Sequence, residues 1–200
     1  MLPNMPFFFK FSTQMRTPFT KNYRLIKSAA LVIGALILTS CTIFRTPSAT
    51  AQLKPTIGNN VSGTVNFIQR DNKVVVNVDI QGLPPSTEHG FHVHEKGDCS
   101  SGDGMSTGGH FNPTAKEHAA HAAMNHHAGD LPSLTSDLSG RVKLSFESTS
   151  FSVVSGETSV VGRGLIVHRD ADDYKTQPTG NSGPRVACAV IQADPRFMGF

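Results

Sequence analysis

The sequence predicts an all-β domain. Three observations carry this. Apolar residues alternate over short runs, 18 glycines and 12 prolines break those runs into turns, and no stretch of the domain holds a helical period of convincing length. Apolar residues make up 38 % of 200 positions, enough for one sizeable core.

The strands follow in order. Residues 61–68 alternate, with Val61, Val65 and Phe67 on one face and Ser62, Thr64 and Asn66 on the other. Asp71-Asn72 makes a turn, and 73–80 then sets Val74, Val76, Val78 and Ile80 on one face, so the two runs read as a β-hairpin. Gly82-Leu83-Pro84-Pro85 ends it. Further strands are predicted over 88–94, 141–146, 160–168 and 186–191. Two stretches, 95–139 and 169–185, carry no strand pattern and are long enough to be functional loops.

The leading segment has a different character. Lys21, Arg24 and Lys27 precede an apolar run over 29–38 that is too short to span a bilayer. This predicts a secretory signal over 1–40, with Met15 as an alternative start. The run ends in Leu38-Thr39-Ser40-Cys41, which resembles a bacterial lipobox, so Cys41 is expected to carry lipid and to anchor the chain in a bacterial cell envelope, facing the periplasm. Residues 41–58 are then the lipidated cysteine and a flexible tether, and 59–200 the domain. All five basic groups of 1–40 leave with the leader. The remainder holds 13 Lys and Arg against 15 Asp and Glu, a balance of −2 rather than the +3 of the whole chain. A nucleic-acid partner, which needs a clustered basic face, is not expected. In an oxidising compartment Cys99 and Cys188 are expected to form a disulfide.

The histidines carry the chemistry. His92 and His94 are two apart on a predicted strand and so share a face, with Phe91 and Val93 pointing into the core. Alone, such a pair reads equally well as a chelate or as a solvated outer face. It is joined by His110 after Gly108-Gly109, by His118, His121, His126, His127 and Asp130, and by His168 at the end of a later strand. Imidazoles with one carboxylate suit copper and zinc, and the absence of cysteines at metal-ligand spacing excludes an all-cysteine zinc module.

Five blocks in order carry a resemblance: G-F-H-V-H-E at 90–95, G-G-H-F-N-P at 108–113, H-x-G-D at 127–130, G-L-I-V-H at 164–168 and G-P-R-V-A-C-A-V-I at 183–191. Together they resemble the copper,zinc superoxide dismutase family, from about Val61 to Ala193. The resemblance implies a Greek-key β-sandwich or flattened barrel with two long functional loops. It implies copper on His92, His94, His110 and His168, and zinc on His110, His118, His127 and Asp130, with the His110 imidazolate bridging the ions. Asp172 would hydrogen-bond one copper and one zinc ligand, Asp173 being the competing choice. Cys99 and Cys188 would form the family's disulfide, and Arg185 would stand beside the copper channel as the cation that meets the superoxide anion. His121 and His126 have no place in the pattern; His121 is an alternative to His118, and His126 to His127. Lys175 stands against Asp170, Asp172 and Asp173, so this loop is a poor source of electrostatic steering. The family occurs as homodimers and monomers, and no motif here decides between them. A rival reading is an envelope lipoprotein that buffers metal without turnover, for which an arginine beside the metal has no use.

Overall fold

The computed structural model describes residues 46–197. The expected signal segment, the alternative start at Met15 and the lipid acceptor Cys41 lie outside the described residues.

Ten strands follow one another: β1 (Ser48–Pro55), β2 (Ser62–Arg70), β3 (Lys73–Gln81), β4 (Glu88–His89), β5 (Phe91–His94), β6 (Leu134–Thr135), β7 (Val142–Ser148), β8 (Gly164–His168), β9 (Arg185–Val190) and β10 (Gln192–Ala193). The main sheet runs β5-β8-β9-β1-β2-β3-β7, with β10 also on β1 and with β4 and β6 as a separate pair. Every strand pairing is antiparallel. Among the described residues there is no α-helix, only 3-10 turns at Met105–Thr107 and Pro195–Phe197. The chain passes from β3 to β5 at the far end of the order, and from β7 back to β8 beside β5. These crossings are those of a Greek key. β1 joins the halves by changing partner: Ser48–Leu53 pair with β2, while Lys54 and Pro55 pair with β9. The curled sheet agrees with the predicted flattened barrel.

The β2–β3 hairpin forms in the expected register, Phe67 opposite Val76 and Val65 opposite Val78. Its turn places Asp71 at φ 51, a left-handed conformation that Asp tolerates. The alternation closes the core: Val65, Phe67, Val74, Val76 and Ile80 are fully buried against Leu165, Val167 and Ile191.

The expected tether over 41–58 is corrected where it overlaps β1. Ala49, Ala51 and Leu53 are buried in the core while Gln52 and Lys54 face out. The alternation is real, but alanine is too small to make it stand out from a polar linker. The strand predicted over 88–94 forms, but it is divided at Gly90 into β4 and β5. The two-residue β6 is not among the predicted strands, since two residues hold no period; its pairing with β4 closes part of the long 95–139 stretch.

Candidate metal centre

β5 builds the first wall. Phe91 and Val93 point into the core, as expected, and His92 and His94 project from the other face, yet both are 0 % exposed. A solvated outer face is therefore excluded, because the two long loops cover it. His92 pairs with Ile166 and His94 with Gly164 across β5 and β8, and His168 ends the same strand. A register shift between Val167 and His168 sets Arg185, rather than Val186, opposite His168. An irregularity of this kind re-aims side chains at the end of a strand.

The first long loop returns along the free edge of β5. Val93 N donates to Gly129 O at 2.9 Å, Phe111 N to Val93 O at 2.8 Å and Gly129 N to Phe111 O at 2.9 Å. This places His110 beside His94 and Asp130 beside His92. The approach needs glycine: a Cβ on Gly129 would lie 2.2 Å from Val93 O. That is the physical reason for the central glycine of H-x-G-D.

Two buried groups of four result, His92, His94, His110 and His168, and His110, His118, His127 and Asp130, with donor atoms within 4.8 Å of one another in each. Hydrogen bonds on the outer sides fix the tautomers. His92 Nε2 donates to Asp172 Oδ2 at 2.7 Å, His94 Nδ1 to Gly108 O at 2.9 Å and His168 Nδ1 to Gly183 O at 3.1 Å. Each neutral ring then presents a bare nitrogen to the others. His94 Nε2 and His168 Nε2 face each other at 3.4 Å, and His92 Nδ1 and His110 Nε2 are buried without a partner. Converging, proton-free lone pairs repel one another unless a cation lies between them, so these residues fit a metal of the kind imidazole prefers, copper or zinc.

The second group closes on Asp130. Its Oδ1 lies 2.9 Å from His110 Nδ1, 3.0 Å from His118 Nδ1 and 3.3 Å from His127 Nδ1. A tetrahedral zinc with bonds of about 2.0 Å sets its donors about 3.3 Å apart, so the spacing fits. Asp130 Oδ2 accepts from His127 N and Ala119 N at 2.9 and 3.2 Å. His110 thus offers one nitrogen to each group. Asp172 spans both, accepting from His92 at Oδ2 and from His118 Nε2 at Oδ1, the latter at 2.9 Å. Asp173 instead caps its own turn through Lys175 N and Thr176 N.

Electrostatics divides the groups. Burial pushes His94 well below its ordinary value, His110 down to about 4 and His168 down to about 3, which keeps these rings in the neutral, ligating form. His118 goes the other way. Against the burial that disfavours its charge, the Asp130 and Asp172 carboxylates raise it to about 9. Burial alone would raise Asp130, but hydrogen bonds from His110, His118 and His127 hold it far below the carboxylate range.

His121 and His126 stand outside both groups. His121 Nδ1 and Nε2 lie 2.9 Å and 3.3 Å from the carbonyls of Asp130 and Glu147, and His126 Nε2 lies 3.0 Å from Ser150 Oγ. Cys99 and Cys188 are bonded. Arg185 directs Nη1 to Gly104 O and Thr107 Oγ1 at 2.6 and 2.7 Å, and Nη2 to Gly108 O at 2.6 Å. The acidity of the second loop is largely committed: Asp170 forms a two-pronged pair with Arg169, both bonds 3.0 Å, and Asp172 is buried. Sequence reasoning missed Gln177. Its side-chain amide clamps the backbone of His118, Oε1 accepting from His118 N at 2.9 Å and Nε2 donating to His118 O at 2.8 Å. No local signal points to that contact, since it joins two loops 59 residues apart.

A curled antiparallel sheet carrying two buried donor sets that share one imidazole defines the framework of a dinuclear metalloprotein. Residues 61–191 match the family described as copper/zinc superoxide dismutase (SODC). The chain is 35 % identical over 170 residues to the copper-zinc superoxide dismutase 2 of Aquifex aeolicus, covering 83 % of this chain and 99 % of that protein. It is 34 % identical over 182 residues to the copper-zinc superoxide dismutase of Deinococcus radiodurans, covering 86 % and 98 %. The crystal structure of the clock protein EA4 superposes with a TM-score of 0.67 at 42 % identity, over 74 % of this chain and 96 % of that one. The chain belongs to the copper/zinc superoxide dismutase family.

Proposed function

We propose that this chain converts two superoxide anions and two protons into dioxygen and hydrogen peroxide, with copper held by His92, His94, His110 and His168 and zinc by His110, His118, His127 and Asp130. The observation that carries this reading is the two-sided His110, whose Nδ1 lies with Asp130, His118 and His127 while its buried Nε2 turns to the other imidazoles. Copper, when bound, supplies one-electron redox chemistry, and zinc, which has none, supplies a fixed positive charge.

The protein's own part follows from its hydrogen bonds. His110 is held on the Asp130 side through Nδ1, so Nε2 is the atom at which it can take up a proton and hand it to a substrate oxygen. Asp172 fixes the orientation of His92 and His118 together. Arg185 presents a permanent positive charge to a small anion, and its three hydrogen bonds hold that charge in place.

The same proposal places the protein at a bacterial envelope. Lys21, Arg24, Lys27, the apolar run over 29–38 and the Leu38-Thr39-Ser40-Cys41 sequence support export and lipid attachment at Cys41. Stopped-flow decay of superoxide with metal-loaded protein tests the activity. Many turnovers per chain are expected, with none for His110→Ala and a slower rate at full copper content for Arg185→Glu. Decay no faster than in buffer, with both metals bound, would leave only a metal store.

A further inference from the structure

We propose that Thr107 is a positioning residue whose hydroxyl holds the Arg185 guanidinium in place and so sets the affinity of the copper site for small anions. The inference rests on the role given above to Arg185 and assigns a determinant of it on another element.

Thr107 is 0 % exposed and closes the 3-10 turn Met105–Thr107. Its hydroxyl proton goes to Gly104 O at 2.8 Å, so the oxygen lone pairs remain for a donor. Arg185 Nη1 supplies that donor at 2.7 Å. The chain elsewhere fixes the threonine. Lys96 N donates to Thr107 O at 3.0 Å, and the methyl fills the space above Gly164, where a Cβ would lie 2.7 Å from Thr107 Cγ2. The hydroxyl therefore has little freedom to turn away.

The count of guanidinium protons gives the consequence. Of five N–H groups, one goes to Gly104 O, one to Gly108 O and one to Thr107 Oγ1. Two are left for a small anion. Both carbonyls are main-chain groups, of Gly104 and Gly108, so the hydroxyl is the one side-chain acceptor of the three. Without it Arg185 keeps its charge, but Nη1 loses one anchor and the plane of the fork can rotate about the other two bonds. Asp103, the nearby acid whose charge acts on Arg185, accepts from Met105 N through Oδ1 at 2.9 Å and makes no hydrogen bond to the guanidinium.

Azide is the probe, followed through the optical spectrum of the copper- and zinc-loaded protein. Thr107→Val is expected to weaken azide roughly threefold to tenfold, the range for one hydrogen bond, and Thr107→Ser to restore it. In an Arg185→Met background Thr107→Val should change nothing further. Equal azide affinity in wild type and Thr107→Val, with Arg185→Met still weaker, would overturn the role of Thr107 and leave that of Arg185. Equal affinity in all of them would overturn both. A second readout does not use copper. In the zinc-loaded, diamagnetic protein the Arg185 Nη protons are expected to give slowly exchanging NMR signals in wild type and Thr107→Ser, lost in Thr107→Val. Persistence of those signals in Thr107→Val, or in Thr107→Ala should the valine variant not fold, would contradict the proposal.

Discussion

Asp172→Asn is the substitution whose outcome follows most closely from the hydrogen-bond pattern. The carboxylate has three donors to satisfy: His92 Nε2 at Oδ2, and His118 Nε2 and Tyr174 N at Oδ1, at 2.7, 2.9 and 2.7 Å. Burial alone would raise its pKa, but the hydrogen bonds from His118 and His92 hold it well below the ordinary range, so all three are accepted by an ionised group. Asparagine has one oxygen. If that oxygen replaces Oδ1, the amide NH2 confronts His92 Nε2, and the ring satisfies it only by moving its proton to Nδ1, the nitrogen that has to be bare for copper. If it replaces Oδ2, the same conflict falls on His118 and zinc. Either orientation spoils one ligand. Loss of an outer hydrogen bond to a ligating histidine typically costs 10- to 100-fold in metal affinity, about 1.4 to 2.7 kcal/mol. Competition titrations against a chelator, for each metal separately, measure it. Affinities for both metals within twofold of wild type would refute the reasoning.

Two further outcomes rest on different groups. His118, raised to about 9 in the metal-free protein by Asp130 and Asp172 against its burial, carries a proton at pH 7 that zinc has to displace. Zinc loading at pH 7 should release about one proton per chain, and affinity should rise about tenfold from pH 7 to 8 and level off as pH passes through about 9. The same shift stabilises the metal-free fold in full below the unfolded value of 6.5 and is lost as pH rises through about 9; calorimetry in two buffers of different ionisation heat checks the proton, and none released would contradict it. Cys99→Ser with Cys188→Ser opens a bridge spanning 89 residues; chain entropy puts the loss at about 4 to 5 kcal/mol, read from denaturant melts of the metal-free forms, and a change below about 1 kcal/mol would mean that the loop is held by other contacts.

How much of this is legible in the residues depends on the range of the forces. The β2–β3 hairpin is local: four branched residues at period two and an Asp-Asn turn suffice. The shared face of His92 and His94 is equally local. The convergence of His110, His118, His127 and Asp130 on them is not, because it depends on the loop pairing along the edge of β5 through Gly129, and only the ordered blocks of the family resemblance point to it. β1 escapes a periodicity reading because Ala49 and Ala51 bury little area. Thr107 and Gln177 escape it because each acts on a group far along the chain, and nothing in their neighbours announces the partner.

Anomalous diffraction at the copper and zinc edges from crystals of the metal-loaded protein tests the centre itself. Two sites are expected, copper bounded by His92, His94, His110 and His168 and zinc by His110, His118, His127 and Asp130, with His110 touching both. A single peak, or a peak held by His121 or His126 in place of His118 or His127, would contradict the account.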